Sequence, residues 1–294
     1  MIEKEQQCEA FIESKKCLDF ILNEVEKDMD KSFICDVLHL QNSNIIFNSG
    51  YNFPLNCNEN EYFFKNIMVN TNKITQIFNE TKAQSESNLW VKIRNDRISA
   101  SLKAHKIKSC KDLSIQNQNK LAISLLTNKN LGYQGKINVA YGKQFENIAL
   151  DFYSKSFNTS VIKCGVIIHS KNTWLCASPD GIVVEHGKLV KVLEVKCPIS
   201  CKDKPIFNSV NNTLNVSYLK YEKNQICLKK NHQYYTQCQI LMYCSGLDKC
   251  DFLVYNKIDP IIITIDKNDM FLKKILIRLE YFYFNFYLQK LIKS

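Results

Sequence analysis

The sequence lacks any uncharged apolar run that approaches the roughly 20 residues a membrane span needs. Its most apolar stretch, YFYFNFYLQ near the C-terminus, is flanked by charges at Arg278, Glu280, Lys290 and Lys293. The N-terminal residues MIEKEQQCEAF are charged rather than apolar, so no secretory signal is expected. These absences predict a protein without a membrane span that works inside the cell, and in the nucleus if the host is eukaryotic.

No CxxC pair occurs, although the chain contains 13 cysteines. Without a secretory signal we expect a reducing compartment, where a free thiol packs as a small hydrophobe. The shortest spacings are those of Cys197 and Cys201, and of Cys238, Cys244 and Cys250. A structural zinc site is a minor alternative, and its candidate ligands are Cys164, His169 and Cys176.

Arginine is scarce, yet the net charge is +10 and is unevenly distributed. Residues 1–60 hold 5 lysines and 11 acidic residues, whereas residues 61–294 hold 34 basic and 18 acidic residues. We therefore expect an acidic N-terminal extension or accessory region over 1–60 and a basic domain over 61–294. A basic body suits a protein that binds the phosphate backbone of a nucleic acid. A solvated lysine surface is the alternative.

The most informative stretch is WLCASPDGIVVEHGKLVKVLEVKCP, residues 174–198. It predicts a hairpin whose first strand covers about 174–185 and whose second strand is LVKVLEVK. Pro179 and Gly181 predict a bend that holds the Asp180 carboxylate in place. Because side chains alternate along a strand, Glu194 and Lys196 share one face while Val195 points into the core.

Two carboxylates beside a lysine are suited to a hard divalent cation such as Mg²⁺, which takes oxygen ligands. The lysine can then orient or help to deprotonate a water that attacks a phosphodiester. A salt-bridged surface hairpin is the alternative explanation of the same residues.

Pro179-Asp180 followed by Glu194-Val195-Lys196 resembles the PD-(D/E)XK nuclease signature. More narrowly, the chain resembles the YqaJ-like viral recombinase family, which includes lambda-type alkaline exonuclease. Further stretches carry that resemblance, in the family's order over about residues 84–256. They are WVKIR from Trp90 with RISAS from Arg97, GKQFE from Gly142, and YYTQCQ from Tyr234.

The resemblance implies an α/β fold, a restriction-endonuclease-like core with a central mixed β-sheet flanked by helices, preceded by a mainly helical extension. It also implies a metal-dependent DNA nuclease, most simply an exonuclease acting from duplex ends in recombination or in viral or mobile-element DNA processing. Double-stranded DNA with free ends, a single-strand annealing protein and a homo-oligomer are the implied partners. An endonuclease of a mobile element and a non-catalytic DNA-binding or interaction module remain alternatives.

The resemblance also implies roles for particular residues. Two Mg²⁺ or Mn²⁺ ions would be held by Asp180, Glu194, Glu146 and the Val195 carbonyl, with Lys196 positioning the attacking water. Gln237 and Tyr234 would lie on one helix face beside the scissile phosphate, whereas Gln239 is expected to be structural.

A second set of residues is expected to bind a phosphate. Family members contact a phosphate of the DNA end through the positions matching Arg94 and Ser101. Arg97 joins this group because a helix expected over 98–107 would leave free N–H groups beside both arginines.

The remaining periodicity and turn signals predict helices at 2–29, 72–84, 90–94, 138–157, 232–244 and 267–292, strands at 62–69, 251–256 and 260–266, and a DNA-facing loop over 200–231.

Overall fold

The structure is a computed structural model, and it describes residues 55–127 and 132–293. The helix expected at 2–29 and most of the acidic extension lie outside the described residues. The helices are α1 (Cys57–Tyr62), α2 (Thr71–Glu80), α3 (Asn88–Asn95), α4 (Lys103–Ser109), α5 (Ile115–Leu126), α6 (Tyr133–Phe157), α7 (Gln233–Ser245), α8 (Asp269–Phe282) and α9 (Leu288–Leu291).

The main sheet contains five strands in the order β12-β11-β6-β5-β2. Only β11 and β6 are parallel, so the sheet is mixed as the resemblance implied. The five strands are β2 (Ser160–Ile162), β5 (Gly181–Glu185), β6 (Lys188–Lys196), β11 (Lys249–Val254) and β12 (Ile261–Asp266).

A smaller sheet has the order β1-β4-β3, and two hairpins lie between β6 and α7. The small-sheet strands are β1 (Ile98–Ser99), β3 (Ile167–Ile168) and β4 (Leu175–Ala177). The hairpins are β7 (Phe207–Asn208) with β8 (Thr213–Leu214), and β9 (Leu219–Glu222) with β10 (Gln225–Leu228). The expected loop over 200–231 therefore contains paired strands.

Helices cover both faces of the main sheet, because its strands carry apolar side chains on both faces. Val183, Leu193 and Val195 pack with Ala149 and Leu150 of α6. The neighbouring positions pack on the other side with α7, a helix buried along nearly its whole length. The alternation expected for β6 is thus confirmed: Val195 faces α6 while its neighbours face α7.

The strand predicted at 62–69 is wrong. Asn56 and Glu59 form a reciprocal capping box that starts α1, and a π-helical turn, Phe63–Ile67, continues it. Phe63 packs against Phe284 with ring centroids 5.3 Å apart. Tertiary packing of the aromatic side chains therefore overrides their β propensity.

The helix predicted over 98–107 is also wrong in its first half. Ile98 and Ser99 pair in parallel with Leu175 and Cys176, and α4 begins only at Lys103. The helices expected at 138–157, 232–244 and 267–292 are confirmed within a few residues, the last with a π-helical turn at Tyr283–Tyr287. None of the described helices is long and apolar enough to cross a membrane.

Candidate active site

The segment containing Asp180 connects the small sheet to the main sheet. The predicted first strand of the hairpin is divided here: β4 ends at Ala177, and β5 begins at Gly181. Asp180 Oδ2 accepts a hydrogen bond of 2.7 Å from the Val195 amide, which fixes the carboxylate at the end of β6. A Cβ at Gly181 would lie 2.3 Å from Val161 Cγ1, so only glycine allows this close approach.

Glu194 and Lys196 share one face of β6, as the alternation predicts. Lys196 Nζ donates a short hydrogen bond to Glu194 Oε1, and Gln237 Nε2 donates to the same oxygen at 2.6 Å. The Lys196 ammonium also lies 5.0 Å from the centroid of the Tyr234 ring. Helix α7 thus holds both motif side chains through Gln237 and Tyr234, the pair expected on one helix face.

These groups open into a cleft of about 920 Å³. Glu146 lines it from α6. Lining residues beyond the motif include Gln84, Trp90, Asn138, Lys143, Tyr218 and Tyr234. The structure therefore brings Asp180, Lys196, Val195, Glu146 and Tyr234 to one cleft, with Glu194 buried directly behind it.

Burial raises the pKa values of the three carboxyl groups, and repulsion from Asp180 adds to the shift at Glu194 and Glu146. The pKa of Glu194 is raised to about 8 by burial and then by Asp180. The pKa of Glu146 is raised to about 7 by burial and by Asp180. Burial alone would lower the pKa of Lys196, but Glu194 and Asp180 outweigh it and raise that pKa. When all three carboxyl groups are ionised, they outnumber the Lys196 ammonium and leave an excess of negative charge among the motif side chains.

This excess fits a divalent cation. Glu194 is 1% exposed, and its Oε2 atom has no hydrogen-bond partner within the described part of the chain. A buried carboxylate oxygen without a partner is costly unless a cation or a proton satisfies it. The described residues contain no group of three or more His, Cys, Asp or Glu side chains that could hold a metal by themselves. A hard ion that retains several waters and adds a backbone carbonyl, as Mg²⁺ does, remains compatible with this donor set.

Arg94 and Ser101 form a second polar group beside the cleft. Arg94 Nη2 donates to Ser101 Oγ at 2.7 Å, and its guanidinium stacks 3.9 Å from the Trp90 ring centroid. Trp90 in turn donates from Nε1 to Ser178 Oγ at 3.1 Å. Burial lowers the pKa of Arg94, and Cys176, Glu194 and Asp180 oppose that shift. Because arginine stays protonated in proteins, this group carries a positive charge beside the cleft.

The expected phosphate contact by Arg97 is corrected by the structure. Arg97 is completely buried, and its guanidinium donates to the carbonyls of Thr173, Asn66 and Ile67. Through these hydrogen bonds, Arg97 joins the end of α3 to the small sheet and to the segment that follows α1. It does not reach a surface where DNA could contact it.

The zinc alternative also finds no support in the fold. His169 Nδ1 accepts from the backbone N–H groups of Lys171 and Asn172, and its ring stacks on Tyr243. Burial lowers the pKa of His169 to about 4. Gln239 is structural as expected, because it bonds the Asp266 carbonyl and the Asn268 amide.

Sequence reasoning missed Gln84. Its Nε2 donates to the Pro179 carbonyl at 3.0 Å and to the Cys164 carbonyl at 3.1 Å, directly before Asp180. Its backbone has φ of 46°, a left-handed conformation that is uncommon for a residue other than glycine. No sequence signal identifies such a position, since its partners are 80 and 95 residues away.

Comparisons with known proteins match the region of the chain that carries the motifs. Residues 89–248, more than half of the chain, match the family model described as YqaJ-like viral recombinase domain. A stretch of 122 residues is 33% identical to an uncharacterized protein of Acanthamoeba polyphaga mimivirus, covering 39% of this chain. The match spans only 19% of that relative's length.

Solved structures also resemble the chain. An alkaline exonuclease from Laribacter hongkongensis has 21% sequence identity and a TM-score of 0.49, over 69% of this chain and 93% of that chain. A phage-related exonuclease from Haemophilus somnus has 14% identity and a TM-score of 0.46, over 67% and 95% of the two chains.

Proposed function

Because the chain belongs to the YqaJ-like viral recombinase domain family, we propose that it is a divalent-metal-dependent DNA exonuclease that hydrolyses phosphodiester bonds from the ends of duplex DNA. The observation that carries the proposal is the joint placement of Asp180 and Lys196 in one cleft beside the end of β6, with Glu194 buried behind them and bonded to Lys196. Raised carboxyl pKa values and the unpartnered Glu194 oxygen support a bound cation.

Asp180, Glu194, Glu146 and the Val195 carbonyl would hold one or two Mg²⁺ or Mn²⁺ ions. When bound, such ions supply an activated water and neutralise charge on the phosphate. Lys196 orients the attacking water and holds a proton beside it, while Gln237 fixes the orientation of the Glu194 carboxylate. Tyr234 fixes the Lys196 ammonium against its ring.

Arg94 and Ser101 would bind a terminal phosphate of the duplex. Their hydrogen bond and the Trp90 stack hold the guanidinium before substrate arrives, which lowers the entropy lost on binding. Cleavage by this chemistry needs no base readout, so affinity should fall steeply as salt concentration rises. A single-strand annealing partner, a homo-oligomer and an intracellular, reducing location belong to the same proposal.

The test compares an end-labelled linear duplex with a covalently closed circle, each in Mg²⁺ and in EDTA. We expect only the linear substrate to be degraded, and only when Mg²⁺ is present. Lys196→Ala should lower the rate by about 10²–10⁴-fold, the usual contribution of a positioned proton-transfer group. Lys188→Ala is the matched control, because Lys188 is an exposed lysine at the far end of the same strand.

The other outcomes separate the alternatives. Cleavage of the closed circle would identify an endonuclease. No cleavage of either substrate with any divalent metal, together with retained binding, would identify a non-catalytic DNA-binding module.

A further inference from the structure

The end of helix α3, which carries Arg94, is held by side chains from elsewhere in the chain. A helix normally leaves its last carbonyl groups without intrahelical partners. Here Lys103 Nζ donates to the carbonyls of Arg94 and Asn95, each at 2.8 Å, and to that of Arg97 at 3.0 Å. A lysine ammonium at a helix C-terminus is also favoured by the helix dipole.

The C-terminal helical segment completes this arrangement. Tyr287 Oη donates to the Asn95 carbonyl and accepts from Lys103 Nζ, both at 2.5 Å, and Tyr283 Oη donates to the Asp96 carbonyl at 3.0 Å. The Lys103 ammonium lies 4.7 Å from the Tyr287 ring centroid. Both tyrosines belong to the π-helical turn between α8 and α9, beyond residues 89–248 of the family match.

Lys103 also belongs to the segment that carries Ser101, the hydrogen-bond partner of Arg94. It lies two residues after Ser101 and opens α4, while its side chain reaches back to the Arg94 carbonyl. The backbones of Arg94 and Ser101 are therefore connected through one ammonium group. The side chains of the same two residues are joined directly by the 2.7 Å bond from Arg94 Nη2 to Ser101 Oγ.

We propose that Lys103 and Tyr287 are positioning residues that set the distance between Arg94 and Ser101, so that the C-terminal helical segment determines how well the enzyme recognises a terminal phosphate. This inference rests on the proposed function. Lys103 is 7% exposed and all its hydrogens are shared among oxygen acceptors, so it acts through the backbone rather than by touching DNA. These oxygen acceptors offset the cost of burying the Lys103 charge.

The experiment measures kcat/KM on linear duplexes whose ends are phosphorylated or dephosphorylated, using the full chain. The ratio of the two values is the discrimination for a terminal phosphate. Tyr287→Phe removes only the hydroxyl, and we expect it to lower this ratio by about fivefold to tenfold, the effect of losing the bond to the Asn95 carbonyl and the bond from the Lys103 ammonium. The change should appear mainly in KM for the phosphorylated end, with the rate on dephosphorylated ends retained.

Tyr281→Phe is the matched control, since Tyr281 is a 53% exposed tyrosine on the same helical segment. Lys103→Met should lower the ratio further, and Lys106→Met on the same helix should leave it unchanged. If Lys103→Met does not fold, Tyr287→Phe still decides the question, because its ring and packing remain.

The outcomes distinguish the two proposals. A wild-type protein that does not discriminate between the ends contradicts the proposed terminal-phosphate recognition itself. A wild type that discriminates, with an unchanged ratio in folded Tyr287→Phe and Lys103→Met, overturns the positioning role alone. Equal loss on both kinds of end would also overturn it, because that result indicates a general structural defect.

Discussion

Gln237 Nε2 donates a hydrogen bond of 2.6 Å to Glu194 Oε1, and this bond joins helix α7 to the strand that carries Glu194 and Lys196. The same oxygen accepts from Lys196 Nζ. One carboxylate oxygen is therefore committed to two donors, and the other, Oε2, remains available for a cation.

Replacing Gln237 by methionine keeps the length of the side chain and removes the donor. We expect kcat to fall by about 10–100-fold, the usual effect of removing the partner of a metal-binding carboxylate. Binding of duplex DNA in the absence of metal should change little. Single-turnover kinetics and a binding titration measure the two effects, and an unchanged kcat would show that Gln237 does not orient Glu194.

The stability of the metal-free protein should fall as pH rises. The folded state binds the Glu194 proton more tightly than the unfolded state, because burial raises that pKa from 4.5 to about 8. Between these two pH values the folded state holds more protons, so the free energy of unfolding decreases with rising pH. Melting temperatures in EDTA from pH 5 to pH 8 measure this slope.

Added Mg²⁺ should raise the melting temperature more at pH 8 than at pH 5, since the ion replaces a proton at the same carboxylates. Glu194→Gln carries no titrating proton and should flatten the slope seen in EDTA. A stabilisation by Mg²⁺ that is equal at both pH values would argue against a metal site at Glu194.

Arg94 of the WVKIR stretch and Arg97 of the RISAS stretch should respond differently to substitution by methionine. Arg97→Met leaves three carbonyl acceptors without their donor and should lower the free energy of unfolding by about 3 kcal/mol or more. Arg94→Met loses one side-chain hydrogen bond and the guanidinium stack on Trp90, and it should mainly weaken binding of phosphorylated DNA ends. Urea unfolding and end-binding titrations on both variants check this contrast, which a reversed pattern would contradict.

Two substitutions of Gln84 separate backbone strain from side-chain contact. Gln84→Gly and Gln84→Ala both remove the bond to the Pro179 carbonyl, so activity should fall equally as Asp180 loses support. Glycine tolerates the positive φ of 46° at this position, whereas alanine does not. The glycine variant should therefore be more stable by about 1 kcal/mol. Greater stability of the alanine variant would show that the turn relaxes.

The sequence by itself determined the order and chemistry of the central motif. Strand alternation placed Glu194 and Lys196 on one face and Val195 on the other, because this periodicity is a property of the extended backbone. Helical spacing likewise predicted that Tyr234 and Gln237 share a face, and both contact the motif side chains. The mixed sheet flanked by helices followed from the family resemblance of these same residues.

Only the tertiary structure decided what distant partners do. Arg94 and Arg97 are three residues apart and equally basic in sequence, yet one lies beside the cleft and the other is buried on backbone carbonyls. Residues 62–67 lie in the end of α1 and a π-helical turn because the packing of Phe63 on Phe284 outweighs their β propensity. Folding also brings together residues that are far apart in sequence, such as Gln84 with Pro179 and Lys103 with Tyr287. No local sequence pattern encodes such contacts.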